Sequence, residues 1–375
     1  MLTTHRPRGN PAASRWCAVA AFLLAVLPGT AALGRPAVPG SADAITWDPT
    51  VIRMAKGCGD WAPTEAGDGN VYTPFGDCWG VTGTLTPKRS MGLARITGSP
   101  VTGNLRLADI DTGAPGVPDI DRTGANGGLD ALGDGKHGKK PSGILFANGT
   151  LYAWIRNIKT DGTQSRLRYA RSNPLGSRSS WAWASWTLAE FGYPVFVQGA
   201  PGYGNGTYAY IVAADTPSAY VPGNRFVLMR VPVSRILDRT AYQFFSGTPG
   251  APAWVSFASR ASRTAIFTSS SRCMRTGMSY DAARGRFYWW QQIPIPTVDT
   301  RNSGGFGVYS APAPYGPWTT VYYTDSWALD GPGEKADFPI AWMGHEGIAS
   351  AGTLYLLSSS DDTLSIRKGT IAPGF

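Results

Sequence analysis

Short apolar segments that alternate with polar positions recur along the chain, with turn residues between them. A period of two, together with many β-branched and aromatic residues, is typical of strands. No sustained 3.6-residue period is present, and residues 235–245 hold at most one short helix. The pattern therefore predicts an all-β protein.

One sequence unit occurs five times: a turn glycine, a strand that carries a tyrosine, and a second strand that often ends in arginine. The intervals of roughly 55–80 residues are near those of propeller blades. Such a unit cannot bury its faces alone, so we predict a five-bladed β-propeller over residues 45–375. A β-sandwich is the alternative, but it does not explain five copies. The five strands carry Tyr72, Tyr152, Tyr208, Tyr288 and Tyr355.

A further strand precedes each tyrosine strand, and we expect these inner strands to line the propeller axis. They are predicted at residues 61–66, 141–147, 194–199, 276–281 and 338–344. The starts of the inner strands and the ends of the tyrosine strands must then lie on one face of the disc. Gln198 lies inside an inner strand and is predicted to face the channel. The strand ends bring to this face Asp60, Lys140, Tyr193, Arg275, Glu334, Asp77, Arg156, Asn157, Asp215 and Gln291.

The first unit contains a predicted hairpin whose turn is at residues 67–70, where Asp-Gly supplies a hairpin signal. The hairpin places Asp60, before its first strand, beside Asp77, at the end of its second. Cys58 and Cys78 face each other in the same register, so we predict that they form a disulfide. Two carboxylates at one end of a sheet suit acid–base chemistry on a sugar. The alternative is two solvated loop aspartates.

The N-terminal residues 1–32 have the features of a signal peptide, with three arginines, a short apolar core and small residues for cleavage. Residues 33–44 are a predicted linker, and no later apolar run is long enough to span a membrane. Loss of residues 1–32 removes three arginines and no acids, so the formal charge falls from +9 to +6. The basic residues are scattered, unlike those of a nucleic-acid binder. We expect a secreted or periplasmic protein in which Cys273 stays unpaired.

The sequence lacks the motifs of two common hydrolase classes. There is no His-Glu-x-x-His, so a zinc site is not indicated, and no Gly-x-Ser-x-Gly, so a serine hydrolase is not indicated. Residues 109–140 look like an insertion over the predicted face. Within them Asp119 to Asp130 resembles a calcium loop but lacks the usual glutamate. We expect no required cofactor, with calcium as the open alternative.

Several short motifs together resemble the bacterial domain-of-unknown-function 4185 family. They include Gly59-Asp60-Trp61, Gly76-Asp77, Lys140-Pro-Ser-Gly143 and Gly333-Glu334, and the resemblance covers about residues 45–372. It implies a five-bladed propeller similar to glycoside hydrolase family 183, the endo-D-arabinanases that act on mycobacterial cell-wall arabinan. There, two aspartates of blade one are implicated, and they match Asp60 and Asp77. This chain departs in having Cys78 where relatives have glycine, and one residue fewer before Trp61.

Our first hypothesis is a secreted, monomeric glycoside hydrolase that acts on a polysaccharide, binds no nucleic acid and has no membrane span. Asp60 and Asp77 are the predicted catalytic pair, and Glu334 tunes or orients them. A polysaccharide lyase on a uronate polymer is the alternative, with cations on the substrate carboxylate and Tyr193 or His137 moving the proton. A non-catalytic glycan-binding propeller is the third. The predicted substrate-binding residues are Trp61, Lys140, Arg156, Asn157, Tyr193, Gln198 and Arg275.

Overall fold

The computed structural model of the chain describes most of the predicted propeller. The described residues are 44–84, 89–110, 138–171, 175, 181–200, 203–294, 304–327, 336–339, 342–343, 352–360 and 362–375. The predicted signal peptide, most of the linker and most of the segment 109–140 lie outside them. No helix of the described part is long and apolar enough to cross a membrane.

Blades one and two are antiparallel four-stranded sheets in which neighbours in sequence are neighbours in space. Blade one contains β2 (Thr64–Glu65), β3 (Val71–Cys78), β4 (Arg89–Thr97) and β5 (Arg106–Asp109). Blade two contains β6 (Lys140–Ala147), β7 (Thr150–Arg156), β8 (Ser165–Ala170) and β9 (Trp181–Leu188).

Blade three is wider, because a sixth strand pairs with the start of its third strand. Its strands are β10 (Val195–Phe196), β11 (Tyr208–Ala214), β12 (Gly223–Pro232), β13 (Gln243–Phe245), β14 (Trp254–Ser256) and β15 (Phe267–Cys273). Short 3-10 helices lie at Val233–Arg235, Arg239–Ala241 and Phe257–Ser262.

Blade five is completed by the start of the chain. Blade four contains β16 (Thr276–Asp281), β17 (Arg286–Ile293), β18 (Gly305–Ala311) and β19 (Thr319–Thr324). Blade five contains β20 (Ala336–Asp337), β21 (Thr353–Ser360) and β22 (Thr363–Ile371), with β1 (Ile45–Met54) as its outer strand. The β1–β22 pairing joins the two ends of the chain in one sheet and closes the disc.

Five hydrophobic clusters of the described residues show that the disc is a closed ring, because each fills the gap between two successive blades. Strand β17 shows how the alternation builds the ring. Phe287 and Trp289 pack toward blade three, whereas Tyr288 and Trp290 pack toward blade five. The prediction of a five-bladed β-propeller is therefore confirmed, and each of the five repeat tyrosines lies on the second strand of a blade.

The inner strands agree with the prediction in blades two and four, where β6 and β16 match the predicted ranges within one residue. In blade one the regular strand is much shorter than predicted, at Thr64–Glu65. Gly59 still pairs with Gly76, but the ladder is interrupted between that bridge and Thr64. Asp60 has a left-handed backbone, and Pro63 has no N–H to donate, so this segment cannot form a continuous ladder.

Candidate active site

The blade-one hairpin holds Asp60 and Asp77 on adjacent chain segments at one end of the sheet. The isolated bridge between Gly59 and Gly76 sets the two segments side by side, one residue before each aspartate. Both aspartates have positive φ, 64° for Asp60 and 48° for Asp77. Non-glycine residues enter this region mainly as Asp or Asn, and such strain clusters at functional sites. The backbone therefore turns both carboxylates away from the regular ladder.

A disulfide between Cys58 and Cys78 ties the two segments together, as predicted. Both cysteines are fully buried, and their Cα atoms are 4.4 Å apart. Each lies within two residues of one of the aspartates. Cys273 is the free cysteine of the described part, and burial raises the pKa of its thiol to about 12. The disulfide fixes the end of the hairpin that carries the carboxylates.

Asp60 lies in the interior and is paired with a guanidinium of blade two. Arg156 Nη2 donates to Asp60 Oδ1 over 2.6 Å, and both side chains are at most 1% exposed. Ser359 Oγ accepts a hydrogen bond from the Asp60 backbone N–H at 2.9 Å. Burial raises the pKa of this carboxyl, but the charges of Arg156, Lys140 and Arg275 outweigh burial and hold the pKa below its ordinary value. Asp60 is therefore a carboxylate at neutral pH.

Asp77 is the more accessible carboxylate, with 27% of its side chain exposed, and it forms an ion pair with the buried Lys140. Lys140 and Arg156 are cross-strand partners on β6 and β7, so one pair of strands delivers both cations. Because Lys140 also lowers the pKa of Asp60, its ammonium group acts on both aspartates. Two carboxylates from blade one thus meet two cations from blade two.

Two arginines and two tyrosines continue the site toward blades three and four. The guanidinium of Arg156 lies 5.3 Å from the ring centre of Tyr193, and that of Arg275 lies 5.4 Å from it. Both guanidinium groups also lie 5.7 Å from the ring centre of Tyr220. Arg275 and Tyr193 are buried, whereas Tyr220 is partly exposed. The residues predicted from four different strand ends are thus brought together.

Tyr220 was not predicted from the sequence, and Asn157 shows how it belongs to the site. Asn157 Nδ2 donates to the Tyr220 hydroxyl at 2.9 Å and to the Gly138 carbonyl at 2.7 Å. Like the two aspartates, Asn157 has positive φ, 59°. Tyr220 lies in the loop after β11, six residues beyond the strand end. The prediction for this face covered only residues at the strand ends; including the loops that follow the tyrosine strands would have found Tyr220.

Trp61 does not offer its ring to a sugar, contrary to the prediction. Its side chain is fully buried, its Nε1 donates to the Cys58 carbonyl at 3.2 Å, and its ring contacts Phe75. The strand segment before the hairpin turn faces the core here, so the ring packs between blades five and one. Trp79, which follows Cys78, is by contrast 42% exposed.

Three further residues predicted at this face make contacts within and between blades. Gln198 Nε2 donates to the Ile144 carbonyl at 2.7 Å, while the Gln198 backbone bridges to Ser279, so this residue links three blades. Gln291 is buried and donates to the Tyr309 hydroxyl at 2.9 Å. Asp215 accepts hydrogen bonds from Arg225 and Arg263.

Glu334, His137 and the segment Asp119–Asp130 lie outside the described residues, so their roles remain predictions. Among the described residues, no group of three or more His, Cys, Asp or Glu side chains is arranged to hold a metal ion. The described site therefore consists of carboxylate, cationic, amide and phenol groups.

No family model matches the chain, and no curated protein matches it. Solved structures with a similar arrangement of strands include a GH43_1 enzyme from Xanthomonas citri in complex with xylose, at 14% identity and a TM-score of 0.47, covering 86% of this chain and 91% of that one. Another is the catalytic domain of a Coprinopsis cinerea GH62 α-L-arabinofuranosidase, at 10% identity and a TM-score of 0.42, covering 90% and 95%. At these scores the activity of those proteins says nothing about this one.

Proposed function

We propose that the protein is a glycoside hydrolase that cleaves a polysaccharide at Asp60 and Asp77. The observation that carries the proposal is the pair of aspartates on two segments that the Gly59–Gly76 bridge joins, each ion-paired with a cation of blade two. Glycoside hydrolysis needs two carboxyl groups that flank the scissile bond. An endo-acting enzyme on mycobacterial D-arabinan is the specific form, which the resemblance of the sequence motifs supports.

The two carboxylates have different environments, which suits different roles. Asp60 is deeply buried and its pKa is held below the ordinary value, so it keeps its charge. It acts as the nucleophile, or as the base that activates water. Asp77 is partly exposed and reaches the leaving oxygen. To carry a proton it must loosen its contact with Lys140 when the substrate binds, and the predicted role of Glu334 is to tune or orient the pair.

A lyase that acts on a uronate polymer is a second candidate, because of one specific arrangement. Two guanidinium groups, those of Arg156 and Arg275, lie 5.3 and 5.4 Å from the ring centre of Tyr193. Cations beside a phenol are what a lyase uses to neutralise a substrate carboxylate and to transfer a proton. In this reading Asp60 and Asp77 position the cations.

One screen separates these candidates. Purified protein is incubated with neutral polysaccharides, including arabinan, and with uronate polymers, and each product is assayed for new reducing ends and for ultraviolet absorbance. A hydrolase gives reducing ends without absorbance, whereas a lyase also gives an absorbing double bond. Retention of a polysaccharide with neither signal would contradict both and would leave a glycan-binding propeller. A predicted export signal is consistent with a substrate outside the cytoplasm.

A further inference from the structure

A cavity lies on the same face of the propeller as the aspartates, at the boundary of blades two and three. Ser165 pairs with Arg156 on one side and with Leu188 on the other, so the end of β9 is level with the site. Tyr193 of the site precedes β10, whose Val195 pairs with Val212 near the end of β11. The residues that follow β9 and β11 therefore open onto this face.

This blade-three cavity has a volume of about 770 Å³, which is within the range of ligand pockets. Its wall combines two carboxylates, two guanidinium groups and small polar side chains, and almost no large apolar ones. The polar lining residues are Glu190, Asp215, Thr216, Asn224, Arg225 and Arg263.

One loop contributes residues both to this cavity and to the aspartate site. Thr216 and Pro217 line the cavity, while Tyr220, a few residues on, contacts the two arginines of the site. Backbone hydrogen bonds to neighbouring segments hold the loop in place. The Thr216 carbonyl accepts from the Gly192 N–H and the Pro217 carbonyl accepts from the Gln164 N–H, both at 2.9 Å. A polymer that crosses this loop would occupy both places.

The cavity wall has equal numbers of carboxylates and guanidinium groups, and this balance favours a neutral ligand. Asp215 accepts from Arg225 Nε and from Arg263 Nη2, each at 2.6 Å, and Glu190 accepts from Arg260 Nε at 2.6 Å. A wall that contains two carboxylates and two guanidinium groups has no formal net charge, so it does not attract anions over neutral ligands. Guanidinium donors beside carboxylate acceptors instead match sugar hydroxyls, which both donate and accept. The side chain of Arg225 is 40% exposed and so is available at the rim.

We propose that the blade-three cavity is a second sugar-binding subsite, which holds a neutral sugar residue of the same polysaccharide chain that is cleaved at Asp60 and Asp77. This inference rests on the proposed function, and it extends the substrate from one glycosidic bond to a chain that spans the loop carrying Tyr220. Arg225 donates to the hydroxyls of this distal sugar. The subsite contributes to binding and not to bond cleavage.

The test is affinity electrophoresis in gels that contain neutral arabinan, arabinogalactan or xylan, with polygalacturonate and alginate as acidic polymers. Arg225→Ala is compared with wild type, and Arg225→Lys keeps the charge without the guanidinium fork. Arg235→Ala is the matched control, because Arg235 is an exposed, ion-paired arginine just beyond the opposite end of β12. Melting temperatures of all variants are measured alongside.

We expect a neutral polymer to retard the wild type, and Arg225→Ala to weaken that binding about tenfold, as for loss of a hydrogen bond to a charged group. On a polymer that is cleaved, KM should rise by a similar factor while kcat stays within about twofold. Arg225→Lys should also bind more weakly, and Arg235→Ala should bind like wild type.

The inference is wrong if Arg225→Ala binds as tightly as wild type, if only acidic polymers are retarded, or if no neutral polymer of the panel is retarded. These outcomes are distinct from a failure of the proposed function. If the proposed function fails, Asp60→Asn and Asp77→Asn will cleave the polymer as fast as wild type. The weaker polysaccharide binding of Arg225→Ala would still be observed in that case.

Discussion

Replacing Arg156 by glutamine removes the main partner of a buried carboxylate. The Arg156 guanidinium lies 2.6 Å from Asp60 Oδ1, and neither side chain is more than 1% exposed. Removing one partner of a buried ion pair costs about 3–5 kcal/mol, because the remaining charge stays in the interior. We expect Arg156→Gln to lower the free energy of unfolding by about this amount at neutral pH.

The same substitution should change how stability depends on pH. In the wild type the pKa of Asp60 is lowered, so its contribution to stability is present above the unfolded pKa of about 3.9 and is lost as the pH falls through the folded pKa. In Arg156→Gln, burial is opposed by fewer charges and the pKa of Asp60 rises. The stability deficit of the variant grows with pH until the raised pKa of Asp60 is passed, so it should be no smaller at about pH 7.5 than at about pH 5.

Urea unfolding of the wild type and of Arg156→Gln at these two pH values measures both effects. Arg235→Gln is the control, because its pair with Asp238 is exposed to solvent and should leave the unfolding free energy unchanged. A deficit for Arg156→Gln below about 1 kcal/mol at both pH values would show that Asp60 and Arg156 are not a buried pair.

Three further substitutions test the geometry of the site. Replacing Cys58 and Cys78 together by alanine should lower the unfolding free energy by roughly 3 kcal/mol in the chain-entropy model, since the disulfide spans 20 residues; mass spectrometry that finds both thiols free in the unreduced wild type would contradict the disulfide. Gly76→Ala should reduce kcat about 100-fold with an unchanged circular dichroism spectrum, because its Cβ would lie 2.5 Å from Asp60 Oδ2 and must displace the carboxylate. Tyr220→Phe should raise KM less than Tyr220→Leu, because phenylalanine loses the hydroxyl that accepts from Asn157 but keeps the ring; equal KM values for the two variants would show that the ring has no role.

The sequence predicted the parts of the fold that repeat. The tyrosine strands, the turn of the first hairpin and the Cys58–Cys78 pairing follow from local patterns, because turn glycines and alternation act within one blade. The closing strand β1 was not predicted. It pairs with β22, more than 300 residues away, and no local pattern reports a contact between the two ends of the chain.

The site was predicted in part because strand ends of a propeller share a face. Asp60, Asp77, Lys140, Arg156, Tyr193 and Arg275 meet as that rule requires. The position of a residue at a strand end does not predict the direction in which its side chain points. A local kink decides whether the ring of Trp61 faces the core or the solvent, and the left-handed backbone at Asp60 that sets it is not visible in the alternation. Tyr220 was missed because loops carry no period to place them.

The measurement that tests the central claim most directly is the rate of release of reducing ends by Asp60→Asn and by Asp77→Asn on the polysaccharide that the wild type cleaves. Each variant should fold normally and lose at least ~10³-fold in kcat/KM, which is about 4 kcal/mol of transition-state stabilisation. Asp68→Asn, on the turn at the far end of the same hairpin, keeps one acceptor oxygen for the Asn70 N–H and can donate its amide to the Tyr72 hydroxyl, so it should stay near wild type. Full activity in both asparagine variants at Asp60 and Asp77, with activity abolished in Asp68→Asn, would contradict the account.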